Sequence, residues 1–431
     1  MSDKPRSQSS LFEAAGLEKI FAPLRDHSGC VIAVSGGADS LALLHAAARW
    51  REAVCPHVTM HVVTVDHGLR AAAFDEARFA AEVSALLNLP HKILKWRGEK
   101  PLAGIQNAAR SARYSLMRDY AVANGLGAIV TAHTLEDQAE TLMMRLARGS
   151  GLDGLAGMAA VSRFGETEII RPFLNISKSR LKAFLRSIGE GWIEDPSNQD
   201  VRFERVRIRR ALALLRKQGF DTRALALSAR RLGRARESAA LAVSALAASA
   251  LQVFPEGWAR LDMAALKAAP LETAIGVMSR ILAGFGGGAR PARLSKIEAL
   301  CDMLLKADTG KWTLGGCELR LSGQKLTVMR EAGRTSGASL VLSPGEALIW
   351  DGRFKVKVVG GEQPVRVCAL GASGLRLIGT LTPNAPKAAL RTTPAFWLGE
   401  RMMAAPLAST YGAASPDHEN IVCQATFIHP F

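Results

Sequence analysis

The sequence predicts an α/β protein: a parallel sheet covered by helices fills the first half, followed by a helical domain and a small mixed α+β C-terminal domain. Three observations carry this reading. Strand-like and helix-like segments alternate up to about residue 147. An Arg-rich helical stretch without β-runs then extends from Arg202 to about Leu251, and short β-like runs with frequent glycine fill the last third. Alternating strands and helices argue for parallel strands joined by crossover helices. Ligands of such sheets sit at the carboxyl ends of the strands.

In chain order, Cys30–Val34 is a short apolar strand that ends in a glycine-rich turn, and Ser40–Arg49 reads as a helix. The β-branched run Val58–Val65 is the second strand, followed by a helix over about Phe74–Leu87. His91–Trp96 is a third strand, and Gln106–Ala123 is a helix with Arg110, Arg113 and Tyr114 near one face. Leu126–Ala132 and Leu135–Ala147 form the next strand and helix. A turn at Phe285–Gly288 precedes a helix over Leu294–Lys306; β-like runs follow at Trp312–Leu314, Leu319–Leu321, Leu340–Leu342 and Lys355–Val359. The expected domains are 1–212 (the α/β half), 213–335 (mainly helical) and 336–431 (mixed α+β).

Composition bounds the function. At 48% hydrophobic residues the chain is globular rather than disordered. Lys and Arg outnumber Asp and Glu by 55 to 39, a formal charge of +16. That surplus points to a polyanionic partner, because phosphate neutralisation dominates nucleic-acid affinity. Met1–Ser10 is polar and lacks the apolar core of a signal peptide. The longest uncharged stretch, Ser238–Pro255, is mostly Ala and Ser, which suits a buried or amphipathic helix better than a membrane span. Six dispersed cysteines without a C-x-x-C pair suggest reduced thiols and a cytoplasmic protein, not a thiolate metal cluster or a disulfide framework.

Ser35-Gly36-Gly37-Ala38-Asp39-Ser40, placed between a strand and a helix, is a compact anion site. Glycines let backbone approach phosphate oxygens, the serines offer hydroxyls, and the helix start adds N–H donors and its positive dipole end. Asp39 suits such a site once a divalent cation such as magnesium bridges it to the phosphates. The loop resembles the SGG-x-DS loop of ATPases that cleave between the α- and β-phosphates, with an adenine nucleotide α-hydrolase-like, Rossmann-like fold. GMP, asparagine and NAD synthetases and several tRNA-modifying enzymes share it, so the loop implies adenylation without naming the acceptor.

Further clusters narrow the acceptor. They are Val65-Asp66-His67-Gly68-Leu69-Arg70, Arg110 to Tyr114, Ala132 to Thr141, Arg148 to Met158, Arg171 to Leu174, and Trp192 to Asn198 running into Arg205-Val206-Arg207-Ile208-Arg209. In this order and spacing the chain resembles the tRNA(Ile)-lysidine synthase family, strongly over about 28–210 and more faintly near Lys311–Glu331 and Thr393–Leu407. The family pattern usually has a second His where Thr134 stands, Asp at Glu136 and Asn at Val206. The resemblance implies transfer of L-lysine to C2 of the wobble cytidine in the CAU anticodon of tRNA(Ile). It implies ATP and Mg2+ as cofactors, no membrane association, and an assembly in which a homodimer is left open.

His133, Asp137 and Glu140 are spaced i, i+4 and i+7, which expects them along one helix face. Asp137 and Glu140 are candidates to hold magnesium, orient the lysine ammonium or accept its proton; a solvated acidic helix start is the plain alternative. Asp39 and Asp137 are the candidate metal ligands. Arg113 is placed for the transferring α-phosphate, His133 for a phosphate or base contact, and Asp66 and His67 for the nucleotide pocket. Arg205, Arg207 and Arg209, with Arg230, Arg231, Arg234 and Arg236 beyond, are candidates for RNA phosphates. A tRNA cytidine thiolase would need a cysteine set that is absent, and a glutaminase would need Cys where Ser2 stands. A non-catalytic RNA-binding module explains the charge but neither the loop nor the acidic helix.

Overall fold

From the amino end the chain runs α1 (Ala14–Ile20), β1 (Gly29–Ala33), α2 (Ala38–Ala53), β2 (Thr59–Asp66), α3 (Ala73–Leu86), β3 (His91–Lys95) and α4 (Ile105–Ala123). It continues with β4 (Ala128–Val130), α5 (Leu135–Leu146), α6 (Leu152–Leu155), β5 (Val161–Phe164), β6 (Thr167–Ile170), α7 (Lys178–Ser187), α8 (Glu204–Arg216) and α9 (Thr222–Ala250). These come from a computed structural model that describes residues 11–68, 73–98, 100, 104–194, 200–288, 291–335, 339–408 and 422–428. Two units are present, Met1–Arg236 and Glu237–Phe431, and the division falls inside α9. Leu69, Arg70 and Asp195 to Asn198 of the sequence clusters lie outside the described residues.

The first unit carries the expected parallel sheet, in the order β3-β2-β1-β4-β6-β5. All its pairings are parallel except the β5–β6 hairpin, an edge the sequence reading had not marked. Alternation along β1 explains the layering. Cys30, Ile32 and the following Val34 join the core formed with α1, α2 and α7, whereas Val31 joins the opposite core with Tyr114, Met117 and Ala121 of α4. Helix α2 is buried nearly all round, from Leu41 and Leu44 to Trp50, and so shows little amphipathic patterning. The chain moves outward from β1 through β2 to β3 and then returns to β4 on the other side of β1. That reversal opens a crevice at the carboxyl ends of β1 and β4.

The second unit starts with β7 (Leu251–Phe254), β8 (Trp258–Asp262), α10 (Met263–Ala268), α11 (Leu271–Phe285), α12 (Leu294–Lys306), β9 (Thr309–Leu314), β10 (Cys317–Ser322) and β11 (Lys325–Arg330). Its strands form an antiparallel sheet in the order β7-β8-β11-β10-β9. The β7–β8 hairpin was not legible because runs of four and five residues are ambiguous between helix and strand. Gly257, at φ +76°, makes its turn. Next come β12 (Leu340–Leu342), β13 (Ala347–Trp350), β14 (Phe354–Val359), β15 (Val365–Ala369), β16 (Pro394–Leu398), β17 (Arg401–Ala404) and β18 (Val422–Phe427). They pair as β12-β15-β16-β17 and β13-β14-β18.

Inside this unit Asp351 takes two hydrogen bonds from Arg330, at 3.1 and 2.8 Å, and one from Arg353 Nε at 2.7 Å. Arg353 is fully buried and also donates to the Thr392 carbonyl at 2.8 Å. Burial pulls its guanidinium pKa down to about 10 despite the Asp351 charge. All six cysteines are free. Among the described residues no helix is long and apolar enough to cross a membrane.

Candidate functional site

The loop after β1 folds on its own hydroxyls. The Ser35 amide donates to Ser40 Oγ at 3.1 Å, Ser40 Oγ donates to the Gly37 carbonyl at 2.9 Å, and the two serine hydroxyls lie 3.3 Å apart. Gly36 is at φ +79°, and a Cβ there would come within 3.3 Å of the Glu76 carbonyl oxygen, so glycine is required. The Gly36 carbonyl accepts from the Ile193 amide at 3.0 Å, which closes the loop from the far side. Gly37 is the N-cap of the sixteen-residue α2 and offers no capping side chain. The first amides of α2 are therefore free to meet an anion.

A cavity of about 930 Å³ opens over this loop. Ser35, Gly37, Ala38, Asp39 and Ser40 form one part of its wall, with His67, Arg113, His133, Lys178 and Arg209 elsewhere. The volume lies at the upper end of the ~300–1,000 Å³ range of small-molecule sites, enough for a nucleotide and part of a second reactant.

Helix α5 begins with a capping box. Thr134 donates to Asp137 Oδ2 from both its amide and its hydroxyl, each at 2.9 Å. Threonine thus has a local job here as N-cap. His133 lies before that cap, so the expected single helix face holding His133, Asp137 and Glu140 is not formed: the histidine belongs to the β4–α5 turn. Its Nδ1 is 2.9 Å from Thr131 Oγ1. Burial pushes its pKa down to about 3, against the pull of Asp137, so the ring is neutral.

The other Asp137 oxygen faces Lys178, a residue to which sequence reasoning assigned no role. Lys178 Nζ lies 3.2 Å from Asp39 Oδ2 and 3.5 Å from Asp137 Oδ1. Its backbone amide donates to Glu136 Oε2 at 3.0 Å, giving that carboxylate a positioning contact. Lys178 is the first residue of α7, where a positive charge opposes the helix dipole. A lysine in that position calls for a carboxylate partner, and this was the available signal. Burial alone would raise the Asp137 pKa, but Lys178, the Thr134 amide and Arg205 hold it at about 2. Asp39 is shifted upward, mainly by burial and with Asp137 adding to it, while Lys178 opposes the shift. For Lys178, burial favours proton loss, and Asp137 and Asp39 more than offset it, so its pKa is raised.

Glu140 is 1% exposed and points away to α8. It pairs with Arg209 Nε at 2.8 Å and Arg205 Nε at 3.2 Å. Two of the three arginines expected at RNA are thus committed to a buried carboxylate, and Arg209 also lines the cavity. Arg207 is exposed and donates to the Val201 and Arg202 carbonyls, both at 2.9 Å. Val206 between them is buried, filling a core position of α8 where the related pattern has a polar residue. Asp66 accepts from the Gly68 amide at 2.8 Å and shapes the turn after β2. His67 next to it lines the cavity, with its ring edge-on to Trp96 at 6.0 Å.

The chain has known relatives. Residues 11–215 match the family model described as a PP-loop domain. A tRNA(Ile)-lysidine synthase of Ruegeria pomeroyi is 38% identical over 88% of this chain and 88% of its own. One from Methylobacterium nodulans is 44% identical over 72% of this chain and 92% of its own. Among solved structures, the U34-tRNA thiolase NcsA of Methanococcus maripaludis overlays at a TM-score of 0.45 with 15% identity, covering 52% of this chain and 80% of that one.

Proposed function

The chain belongs to the tRNA(Ile)-lysidine synthase family, and on that premise we propose that it adenylates the wobble cytidine of tRNA(Ile) and displaces AMP with lysine. One observation carries this reading: the phosphate loop with Asp39, Lys178 and Arg113 share one cavity at the carboxyl ends of β1 and β4, and Lys178 also contacts Asp137. In the first step the C2 oxygen of cytidine attacks the α-phosphorus, and the bond to pyrophosphate breaks. The loop amides and serine hydroxyls bind the leaving phosphates, and Arg113 meets the charge that grows on the α-phosphate. In the second step the lysine ε-nitrogen bonds to C2 and AMP leaves with the electron pair of the C2–O bond. Each released proton goes to solvent or to a carboxylate.

The carboxylates divide that work. An Asp137 with a pKa of about 2 accepts protons poorly. Its part is to hold a cation, either the incoming ammonium or a metal ion. Magnesium fits: Asp39 and Asp137 oxygens converge on one cation position, and an ion there would complete its oxygen set from phosphate and water. Among the described residues no group of three or more His, Cys, Asp or Glu could hold a metal, so Asp39 and Asp137 would hold the ion only together with substrate phosphates. Bound magnesium would neutralise phosphate charge. Glu140 holds Arg205 and Arg209 in place, and neutral His133 serves as a hydrogen-bond partner rather than a cation.

Pyrophosphate release with and without tRNA and lysine tests the reading. We expect release that depends on tRNA and is abolished by Asp39→Ala with the fold retained. Release that ignores tRNA, or that survives in Asp39→Ala, contradicts it.

A further inference from the structure

Beyond the phosphate loop lies a second cationic group that nothing above employs as a unit. Arg110 and Arg113 stack over the Tyr114 ring at 5.3 and 5.4 Å. Arg171, one residue past β6, donates from Nη1 to the Ala159 carbonyl at 2.8 Å and to Ser162 Oγ at 2.9 Å. Its Nε has no hydrogen-bond partner, and neither has the Tyr114 hydroxyl. Both residues are more than nine-tenths buried, Tyr114 at 6% and Arg171 at 8% exposure. Burial weakens the hold of Arg113 and Arg171 on their protons, and the Tyr114 oxygen lies close enough to offset part of that loss. It nevertheless receives no hydrogen bond of normal length and angle. Among the described residues none of the three arginines is paired with a carboxylate.

Three guanidiniums, an unpaired hydroxyl and an unpaired buried N–H without a counter-anion define a place for one from outside. Buried donors left unpaired are costly, and like charges in a low dielectric repel. An oxyanion relieves both, and the guanidinium fork matches phosphate geometry. Placement indicates whose phosphate it is. Arg113 lines the nucleotide cavity, whereas Arg110 and Arg171 are not part of its lining, so the group extends beyond the cavity wall. Arg171 follows β6, which is two strands along from β1 and its loop. At ~4.8 Å per strand that is about 10 Å from the strand carrying the loop. A polymer whose base enters the cavity must leave it along some wall, and this wall carries unpaired positive charge.

We propose that Arg110, Arg171 and the Tyr114 hydroxyl, with Arg113 at the boundary, bind a backbone phosphodiester of the RNA next to the reacting base, not a phosphate of ATP. The site rests on the proposed tRNA substrate. It anchors the nucleotide whose neighbour has been drawn out of its stack, and so sets register without reading sequence.

The test compares wild type with Arg110→Gln, an exposed change, and Tyr114→Phe, which keeps the ring and removes only the hydroxyl. Affinity for an anticodon stem–loop RNA is measured over a range of salt, beside the KM for ATP and competition by inorganic pyrophosphate. Arg110→Gln should weaken RNA binding about tenfold. It should also lower the salt slope by about one ion. Tyr114→Phe should cost about threefold. ATP KM and pyrophosphate inhibition should stay within about twofold in both, since the loop amides hold those phosphates. Unchanged RNA affinity and slope in both variants overturn the site, as does a parallel loss for pyrophosphate. Wild type that fails to bind the RNA overturns the tRNA reading together with the site; wild type that binds while the variants match it overturns the site alone.

Discussion

Among the described residues each unit holds a cluster of arginines, and the two clusters are built on opposite terms. In the second unit Arg330 and Arg353 share Asp351 and also donate to backbone carbonyls of Gly286, Gly316, Arg334 and Thr392, with Arg353 Nη1 left unpaired. In the first unit Arg113 and Arg171 sit around the Tyr114 hydroxyl without a carboxylate, and donors are left unpaired. The same side chain is structural where the fold supplies the anion and a binding group where it does not. The Asp39–Lys178–Asp137 group makes the complementary case: one ammonium lies between two carboxylates, so an entering metal or substrate ammonium must take over a position already held by a lysine.

The largest expected effect breaks the balanced arginine group. Asp351→Asn leaves two buried guanidiniums short of their counter-charge and should cost about 3–5 kcal/mol in urea unfolding. A loss under ~1 kcal/mol would mean the carbonyls alone suffice. Arg110→Gln in the unbalanced group should leave the unfolding midpoint nearly unchanged, because it removes repulsion as well as contact.

Next in size, Asp137→Asn should lower lysine transfer by at least ~100-fold while keeping most stability, because Thr134 can still cap α5. Retained transfer would shift the cation-holding role to Asp39 alone.

The pH dependence is smaller and has a definite sign. A buried His133 at about 3, below its ordinary 6.5, binds fewer protons than in the unfolded chain across that window. Stability is therefore full above pH 6.5 and falls as acid charges the unfolded state, by about 2 kcal/mol near pH ~5 for His133. His45, His67 and His91 shift in the same direction. Asp137 adds nothing there, since its stabilisation holds above 3.8 and is lost only as pH falls toward about 2. His133→Gln should flatten the midpoint-versus-pH curve between pH 6.5 and 4; an unchanged slope would mean the ring is charged in the fold. Smallest is Arg207→Gln, a few-fold rise in tRNA KM with ATP KM unchanged, and equal changes in both would make it structural.

How much of this the sequence disclosed follows from the range of each interaction. The strand–loop–helix at Ser35 to Ser40 is local, so its hydrogen-bonded ring and left-handed Gly36 were legible in composition and order. Asp137 and Glu140 were legible as candidates, but not that one faces Lys178 and the other Arg205 and Arg209. Those partners lie some 40 to 70 positions away, and only the fold brings them together. His133 was misplaced because helical spacing was extended one residue past the Thr134 cap. The departures at Thr134, Glu136 and Val206 became intelligible only as a helix cap, a partner for the Lys178 amide and a core side chain. Strands β5 to β8 were missed because runs of four or five residues that mix polar and apolar side chains carry no decisive period.

The proposed reaction joins lysine to a cytidine of tRNA in this cavity. Incubation of the full chain with labelled lysine, ATP, magnesium and total tRNA, followed by nucleoside analysis, tests it most directly. Label is expected in a single modified nucleoside, lysidine, at the wobble position of tRNA(Ile), with one AMP and one pyrophosphate formed per lysine. Unlabelled tRNA under conditions where the chain binds ATP, or label attached to any other base, would contradict it.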